Sequence, residues 1–249
     1  MSIPQESPNL VEICSLGSVL NYRMNNRYAV IGGTIYDTYL GYNVLKDLGI
    51  IAIKLNIKNT PIQQEKYQHN HKIKYDINDH IITEIKNLKN KHFITHVLIY
   101  CVSLSGIIDH HKIVNKTGVY LITPYTSISN NFESFNKLGV ISANSLSAYN
   151  FKKYILKFNE HCHLSMKYNI NIVNDIEKKI DSAVIVKNYK LDIFIKDLKK
   201  NKINNLVLAC THFSYLINEL SKLNDIKIFD VKSLIINELD TKYLCDDKV

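Results

Sequence analysis

Two stretches of this chain run into a thiol in the same way. Ile94-Thr95-His96-Val97-Leu98-Ile99-Tyr100-Cys101 and Ile203-Asn204-Asn205-Leu206-Val207-Leu208-Ala209-Cys210 each pass through three aliphatic residues and one small or aromatic residue before Cys. An apolar run of this length, bounded by polar residues, reads as a buried strand, so each cysteine falls just past the carboxyl end of a strand. In an open α/β sheet that edge is where loops converge and helix N-termini face a ligand, and a thiol at a helix N-terminus ionises more readily. The matched pair predicts two similar lobes facing one cleft. Two unlinked thiols on opposite walls of a cleft can work as base and acid across a planar carbon. One takes a proton, the other returns one from the opposite face, and a stereocentre inverts without metal or organic cofactor. For one cysteine alone, an ordinary buried side chain capping a strand would be the better reading; the matched pair favours chemistry.

The neighbouring residues suit an anionic substrate. Thr211 and His212 follow Cys210 with a hydroxyl and an imidazole, and Ser103, Ser105 and Gly106 follow Cys101. Asp37-Thr38, just past Gly32-Gly33, places a carboxylate and a hydroxyl at the same edge of an earlier strand, although an Asp there also suits a turn or helix cap.

The elements that must hold these groups alternate along the chain. Apolar runs predict strands at Tyr28–Gly33, Ile50–Ile57, Val97–Tyr100, Gly118–Thr123, Val140–Ala143, Leu206–Ala209 and Ile226–Phe229. Helical spacing predicts helices at Leu40–Leu48, Asp79–Asn90, Ala148–Phe158 and Leu191–Lys200. That rhythm specifies parallel sheets covered by helices, an α/β fold. Residues 1–27 read as an N-terminal extension with a short helix over Leu10–Leu20.

Composition narrows the functions further. The formal charge of +8 arises from 31 Lys and Arg against 23 Asp and Glu. Arg23 and Arg27 are the two arginines among 29 lysines, and the lysines are spread through a chain that is also rich in Ile (36) and Asn (28). Nucleic-acid readers favour Arg for bidentate contacts, so the charge predicts a solvated surface rather than a nucleic-acid or membrane partner. No apolar run approaches the length of a membrane span, and the start lacks the pattern of a signal peptide; a soluble, cytoplasmic protein is expected. Cys14, Cys101, Cys162, Cys210 and Cys245 form no CxxC pair, which predicts reduced thiols. His161-Cys162-His163 and His110-His111 lack metal-ligand spacing, and no metal is expected. Gly32-Gly33 lacks the third glycine of a dinucleotide fingerprint.

Val207-Leu208-Ala209-Cys210-Thr211-His212-Phe213 resembles the second cysteine motif of the aspartate/glutamate racemase family, in particular its glutamate racemases, where Gly-Cys-Thr-His and an aromatic follow a strand. Tyr36-Asp37-Thr38 with Gly41 is similar to the family's Asp-Ser motif, and Cys101-Val102-Ser103-Leu104-Ser105-Gly106 to its first cysteine motif. Leu138–Ile141 with Ala148-Tyr149, and Ile228-Phe229-Asp230, are similar to later segments, so the resemblance runs from about Tyr28 to Asp230. It implies two pseudo-symmetric parallel-sheet domains with the active site in the cleft between them. The first would span residues 28–122 plus 226–249 and the second 123–225. It further implies a cofactor-independent racemase in which Cys101 and Cys210 are the two bases and Asp37 and His212 assist them. Thr38, Ser103 and Thr211 would bind a small acidic amino acid, with Cys101 acting on the D-isomer and Cys210 on the L-isomer.

Glutamate is expected over aspartate, because His follows Thr in the family's glutamate enzymes whereas Glu is common there in its aspartate enzymes. The sequence departs from the pattern at Val102, where the family has a substrate-binding Asn. Tyr39-Leu40-Gly41 is shorter than the family's glycine-rich segment, and Thr60-Pro61-Ile62-Gln63-Gln64 stands where a Pro-Tyr-Gly loop is expected. The glutamate expected near the second-domain hinge has Asn174 and Asp175 as its nearest candidates. Four alternatives stay open: an aspartate racemase, a non-catalytic amino-acid or small-anion binding protein on the same scaffold, an isomerase of a small diacid, or a decarboxylase of one. Monomer and homodimer are equally compatible with the sequence.

Overall fold

The computed structural model describes residues 27–69, 74–129, 135–223 and 226–243. The helix expected over Leu10–Leu20 lies outside them, as do Cys14 and Cys245. Four parallel strands form the first sheet: β1 (Tyr28–Gly32), β2 (Ala52–Asn56), β3 (His96–Tyr100) and β4 (Tyr120–Ile122). Four more form the second: β5 (Lys137–Ser142), β6 (His163–Tyr168), β7 (Asn205–Ala209) and β8 (Lys227–Asp230). Their orders, β2-β1-β3-β4 and β6-β5-β7-β8, are the same arrangement used twice. In each, the chain leaves the first strand toward one edge and then crosses to the other side. The switch point therefore lies between β1 and β3 in one sheet and between β5 and β7 in the other, and such points open a crevice at the carboxyl ends.

The central strands β1 and β3 are buried along their whole length, as apolar runs without alternation require when both faces are covered. Helix α1 (Ile35–Asp47) follows β1, with Thr34 as its N-cap accepting from the Asp37 amide at 3.1 Å. It lies so close to β3 that a Cβ on Gly41 would stand 2.6 Å from the Tyr100 Cβ. Helix α2 (Pro61–His69) occupies the polar stretch expected as a loop, with Pro61 at its first position, where no amide hydrogen is needed. Helix α3 (Lys74–His92), α4 (Val102–Ser105), α5 (His110–Thr117) and α6 (Pro124–Ser129) complete the first half. The second half carries α7 (Ser145–Phe158), α8 (Ile170–Glu177), α9 (Ser182–Asn188), α10 (Leu191–Lys200), a 3-10 turn at Thr211–Leu216 and α11 (Ile217–Ser221).

Two sequence expectations are corrected. His163–Tyr168 is a strand, β6, although no strand was expected there. As an edge strand it is only partly buried and carries no apolar run, so its sequence lacks the signal that marks the central strands. The segment expected to rejoin the first domain, Ile226–Phe229, contains β8, which instead hydrogen-bonds to β7 in the second sheet with Leu208 opposite Asp230. Helix α12 (Val231–Tyr243) packs against α6, where the buried Glu238 accepts hydrogen bonds from Ser127 Oγ at 2.5 Å and Thr126 Oγ1 at 3.1 Å.

One apolar core joins the two halves. Val30 and Leu98 of the first sheet, Val140 and Val207 of the second, and Ile235 of α12 belong to the same cluster. Each sheet has a second core on its other face, around Ile81 and Ile99 in the first half and Ile195 and Leu208 in the second. Among the described residues no helix is long and apolar enough to cross a membrane.

Candidate active site

Both cysteines occupy the N-cap position of the element that follows their strand: Cys101 precedes α4 and Cys210 precedes the Thr211–Leu216 turn. They line one cleft together with Asp37, Ser103, Asn144 and His212. Asp37, from α1, ties the halves together. Its Oδ1 accepts from Thr211 Oγ1 at 2.6 Å and lies 3.1 Å from His212 Nδ1, while its charge also bears on the Cys101 thiol. The backbone makes room for this contact at Gly33, where a Cβ would fall 2.6 Å from Cys101 Sγ and 3.0 Å from Asp37 Oδ2.

His212 has acidic partners on both ring nitrogens. Nδ1 faces Asp37 and stands 3.8 Å from Cys210 Sγ, and Nε2 is 2.9 Å from Glu177 Oε1. Burial alone would lower its pKa, but the Asp37 charge and the ring's hydrogen bonds to Asp37, Cys210 and Glu177 outweigh burial and raise it well above the ordinary histidine value. The two acids thereby favour the imidazolium form of the ring. Tyr36 stacks on it with centroids 5.1 Å apart and planes 21° apart, an arrangement that favours a cation. Cys101 is shifted upward too, first by burial and then by the Asp37 charge, so its thiol holds its proton.

Most of the expected site residues converge here, and two take other places. Cys101, Cys210, Asp37, His212 and Ser103 line the cleft. Thr211 is 1% exposed and uses its hydroxyl to hold Asp37. Thr38, expected to bind substrate, is buried with its hydroxyl donated to the Thr34 carbonyl at 2.8 Å and to the Leu55 carbonyl at 3.3 Å, and it does not line the cleft. The resemblance implies a glutamate near the hinge with Asn174 and Asp175 nearest in sequence, but the α8 carboxylate that reaches the site is Glu177. Asp175 instead accepts from Tyr189 at 2.7 Å, and Asn174 donates to Asn171 at 3.4 Å. The helical period held the signal: Val173 lines the cleft and Glu177 lies one turn further along the same face of α8. Glu177 also accepts from Thr34 Oγ1 at 3.3 Å, a further bond between the halves.

Comparison with protein-family models and with curated sequences finds no match. Solved structures do match. Glutamate racemase from Francisella tularensis, in complex with D-glutamate, aligns with a TM-score of 0.64 at 18% identity over 86% of this chain and 80% of that one. A mutant of arylmalonate decarboxylase aligns at 0.61 and 8% identity over 90% and 94%. Allantoin racemase from Klebsiella pneumoniae aligns at 0.59 and 12% identity over 87% of each chain. The chain thus has the two-domain α/β fold that these enzymes share.

Proposed function

We propose that the protein is a cofactor-independent racemase that inverts the Cα of an acidic amino acid with Cys101 and Cys210 as its two bases. The observation that carries this reading is the convergence of two thiols from opposite halves on one cleft, each beside its own proton partner. In one direction a cysteine thiolate removes the Cα proton: the C–H bond breaks, an S–H bond forms, and the electron pair delocalises into the substrate carboxylate. The facing thiol then gives its proton to the opposite side of the carbon and is left as thiolate. Asp37 is placed to take a proton from Cys101 and His212 to exchange one with Cys210, which resets the pair for either enantiomer. Following the family resemblance, Cys101 serves the D-isomer and Cys210 the L-isomer.

Glutamate is the preferred substrate in this reading. Support comes from His212 after Thr211, the residue order of the glutamate enzymes in the resembling family. The preference over aspartate rests on one methylene, which a pocket discriminates by only ~1–3 kcal/mol. The test is to incubate L- and D-glutamate and L- and D-aspartate with the protein in deuterated water, without added cofactor, and to follow deuterium at Cα by mass spectrometry. Deuterium in glutamate of both configurations is expected. Folded protein that exchanges the Cα proton of neither amino acid refutes the reading.

A further inference from the structure

Gln64, on the first turn of α2, is 5% exposed and lines the same cleft as the two cysteines. Its side-chain Oε1 and Nε2 are both buried and have no hydrogen-bond partner among the described residues. A buried carboxamide with neither end satisfied is costly, and such a group is retained where something else completes it. Two other polar groups of the lining already hold hydrogen bonds. Thr34 Oγ1 accepts from the Asp37 amide, and Asn144 Oδ1 accepts from the Ser147 amide at 2.8 Å. Val102, Ile170 and Val173 line the cleft without polar side-chain atoms.

The unsatisfied atoms specify what completes them. Oε1 needs a donor and Nε2 needs an acceptor. A carboxylate alone answers half of this and sets its other oxygen against Oε1. An amino-acid zwitterion answers both, with an ammonium for Oε1 and a carboxylate oxygen for Nε2. The lining offers both signs: Asp37 and Glu65 suit an ammonium and His212 suits a carboxylate, with no Lys or Arg among the described residues that line the cleft. We propose that Gln64 is a substrate-binding residue whose carboxamide grips the ammonium and a carboxylate of an amino acid together. This rests on the amino-acid substrate of the proposed function and adds a contact that sets the substrate class.

The test needs no turnover. L-glutamate and glutarate, the same diacid without its ammonium, are titrated calorimetrically into the wild type, Gln64→Met and Gln64→Glu. The wild type binds glutamate more tightly than glutarate. Gln64→Met, of similar volume with neither donor nor acceptor, loses roughly tenfold or more of its glutamate affinity, the worth of a hydrogen bond to a charged group, and with it the preference. Gln64→Glu keeps an acceptor for the ammonium and keeps the preference. Because the free amide is unsatisfied, the unliganded Gln64→Met protein melts at or above the wild-type temperature. An unchanged preference in Gln64→Met, a lost preference in Gln64→Glu, a Gln64→Met protein that melts lower or fails to fold, or a wild type that does not bind glutamate each overturns the assignment. Glutamate binding without Cα exchange would refute the racemase and leave Gln64 in place.

Discussion

Cys101 and Cys210 have nearly the same backbone conformation, φ −162° and ψ 116° against φ −159° and ψ 134°, but the residues around them differ. Superimposing the two halves by strand order sets Gly33, Thr34 and Asp37 against Ala143, Asn144 and Ser147. It also sets Val102 and Ser103 against Thr211 and His212. The helix caps are retained: Thr34 and Asn144 each accept from the amide three residues on. The proton partners are not retained. Cys101 is flanked by a carboxylate from the helix after the neighbouring strand, whereas the counterpart of that carboxylate is Ser147, whose buried hydroxyl has no partner among the described residues. Cys210 is served from its own loop by His212, with Glu177 behind it. A duplicated scaffold fixes where a thiol sits, and a few side chains then decide which groups surround it. Because Asp37 touches both sets, the two half-sites form one charge network and respond to each other's substitution.

Removing either thiol is the most severe way to break the pairing. Cys101→Ala and Cys210→Ala should each lower the racemisation rate by about 10³-fold or more, since a single positioned base is worth ~10²–10⁴ and inversion needs both. Circular-dichroism assays of enantiomer interconversion measure this, with Cys162→Ala as the control that keeps activity. Near wild-type racemisation by either single-thiol variant would dissolve the two-base pairing.

The next test uses the backbone. Gly33→Ala puts a methyl 2.6 Å from Cys101 Sγ, while its counterpart Ala143 already carries a Cβ. Displacing a reacting group by about 1 Å costs on the order of 10²-fold, so kcat should fall by about that much in Gly33→Ala. Ala143→Gly should stay within a few-fold of wild type. Equal losses at the two positions would show that the halves tolerate crowding alike.

The same comparison shows what could be read from the sequence. The matched runs into Cys101 and Cys210 exposed the duplication and both thiols, because central parallel strands are buried on both faces and leave continuous apolar runs. The edge strand β6 was illegible: its residues are only partly buried, and Cys162 before it is buried beside neighbours that are not. The placement of β8 failed for another reason, since which sheet a short strand joins is settled by pairing across the molecule. Asp37 and His212 were legible as motif neighbours of chemistry. Glu177 was hidden because it joins His212 across 35 residues, and Gln64 because an unsatisfied amide is a property of packing.

Stability should carry the asymmetry as well. His96 begins β3 where Asn205 begins β7. It is stacked between Tyr28 and Tyr120, with centroids at 4.6 and 4.8 Å, and burial lowers its pKa to about 4. The folded state holds this histidine neutral, whereas the unfolded chain protonates it near pH 6.5. Its contribution is therefore complete above about pH 6.5 and is lost as pH falls toward 4, amounting to ~3 kcal/mol at most. Urea unfolding between pH 4 and 7 should show that loss, and His96→Asn, which copies the second half, should flatten it. A variant with the wild-type slope would place the acid sensitivity elsewhere.

The smallest expected effect separates the two supports of His212. Asp37 and Glu177 both raise its pKa against the opposing effect of burial. Glu177→Gln keeps an acceptor for Nε2 and removes a charge, so Asp37 remains to hold the imidazolium. The proton should then leave at lower pH, and the alkaline limb of the kcat/KM profile should move down while neutral-pH activity falls only about tenfold, the scale of one charge-assisted hydrogen bond. The linked stability has a definite sign. A histidine whose folded pKa is raised stabilises the fold fully below its unfolded pKa, and the contribution fades as pH rises through the folded value. Glu177→Gln should therefore bring the alkaline loss of stability to lower pH as well, measurable by thermal melts from pH 7 to 10. If both the kinetic limb and the melting profile stay where they are, Asp37 alone governs His212. Both thiols would then answer to the same first-domain carboxylate, and the difference between the half-sites would shrink to the position of the imidazole.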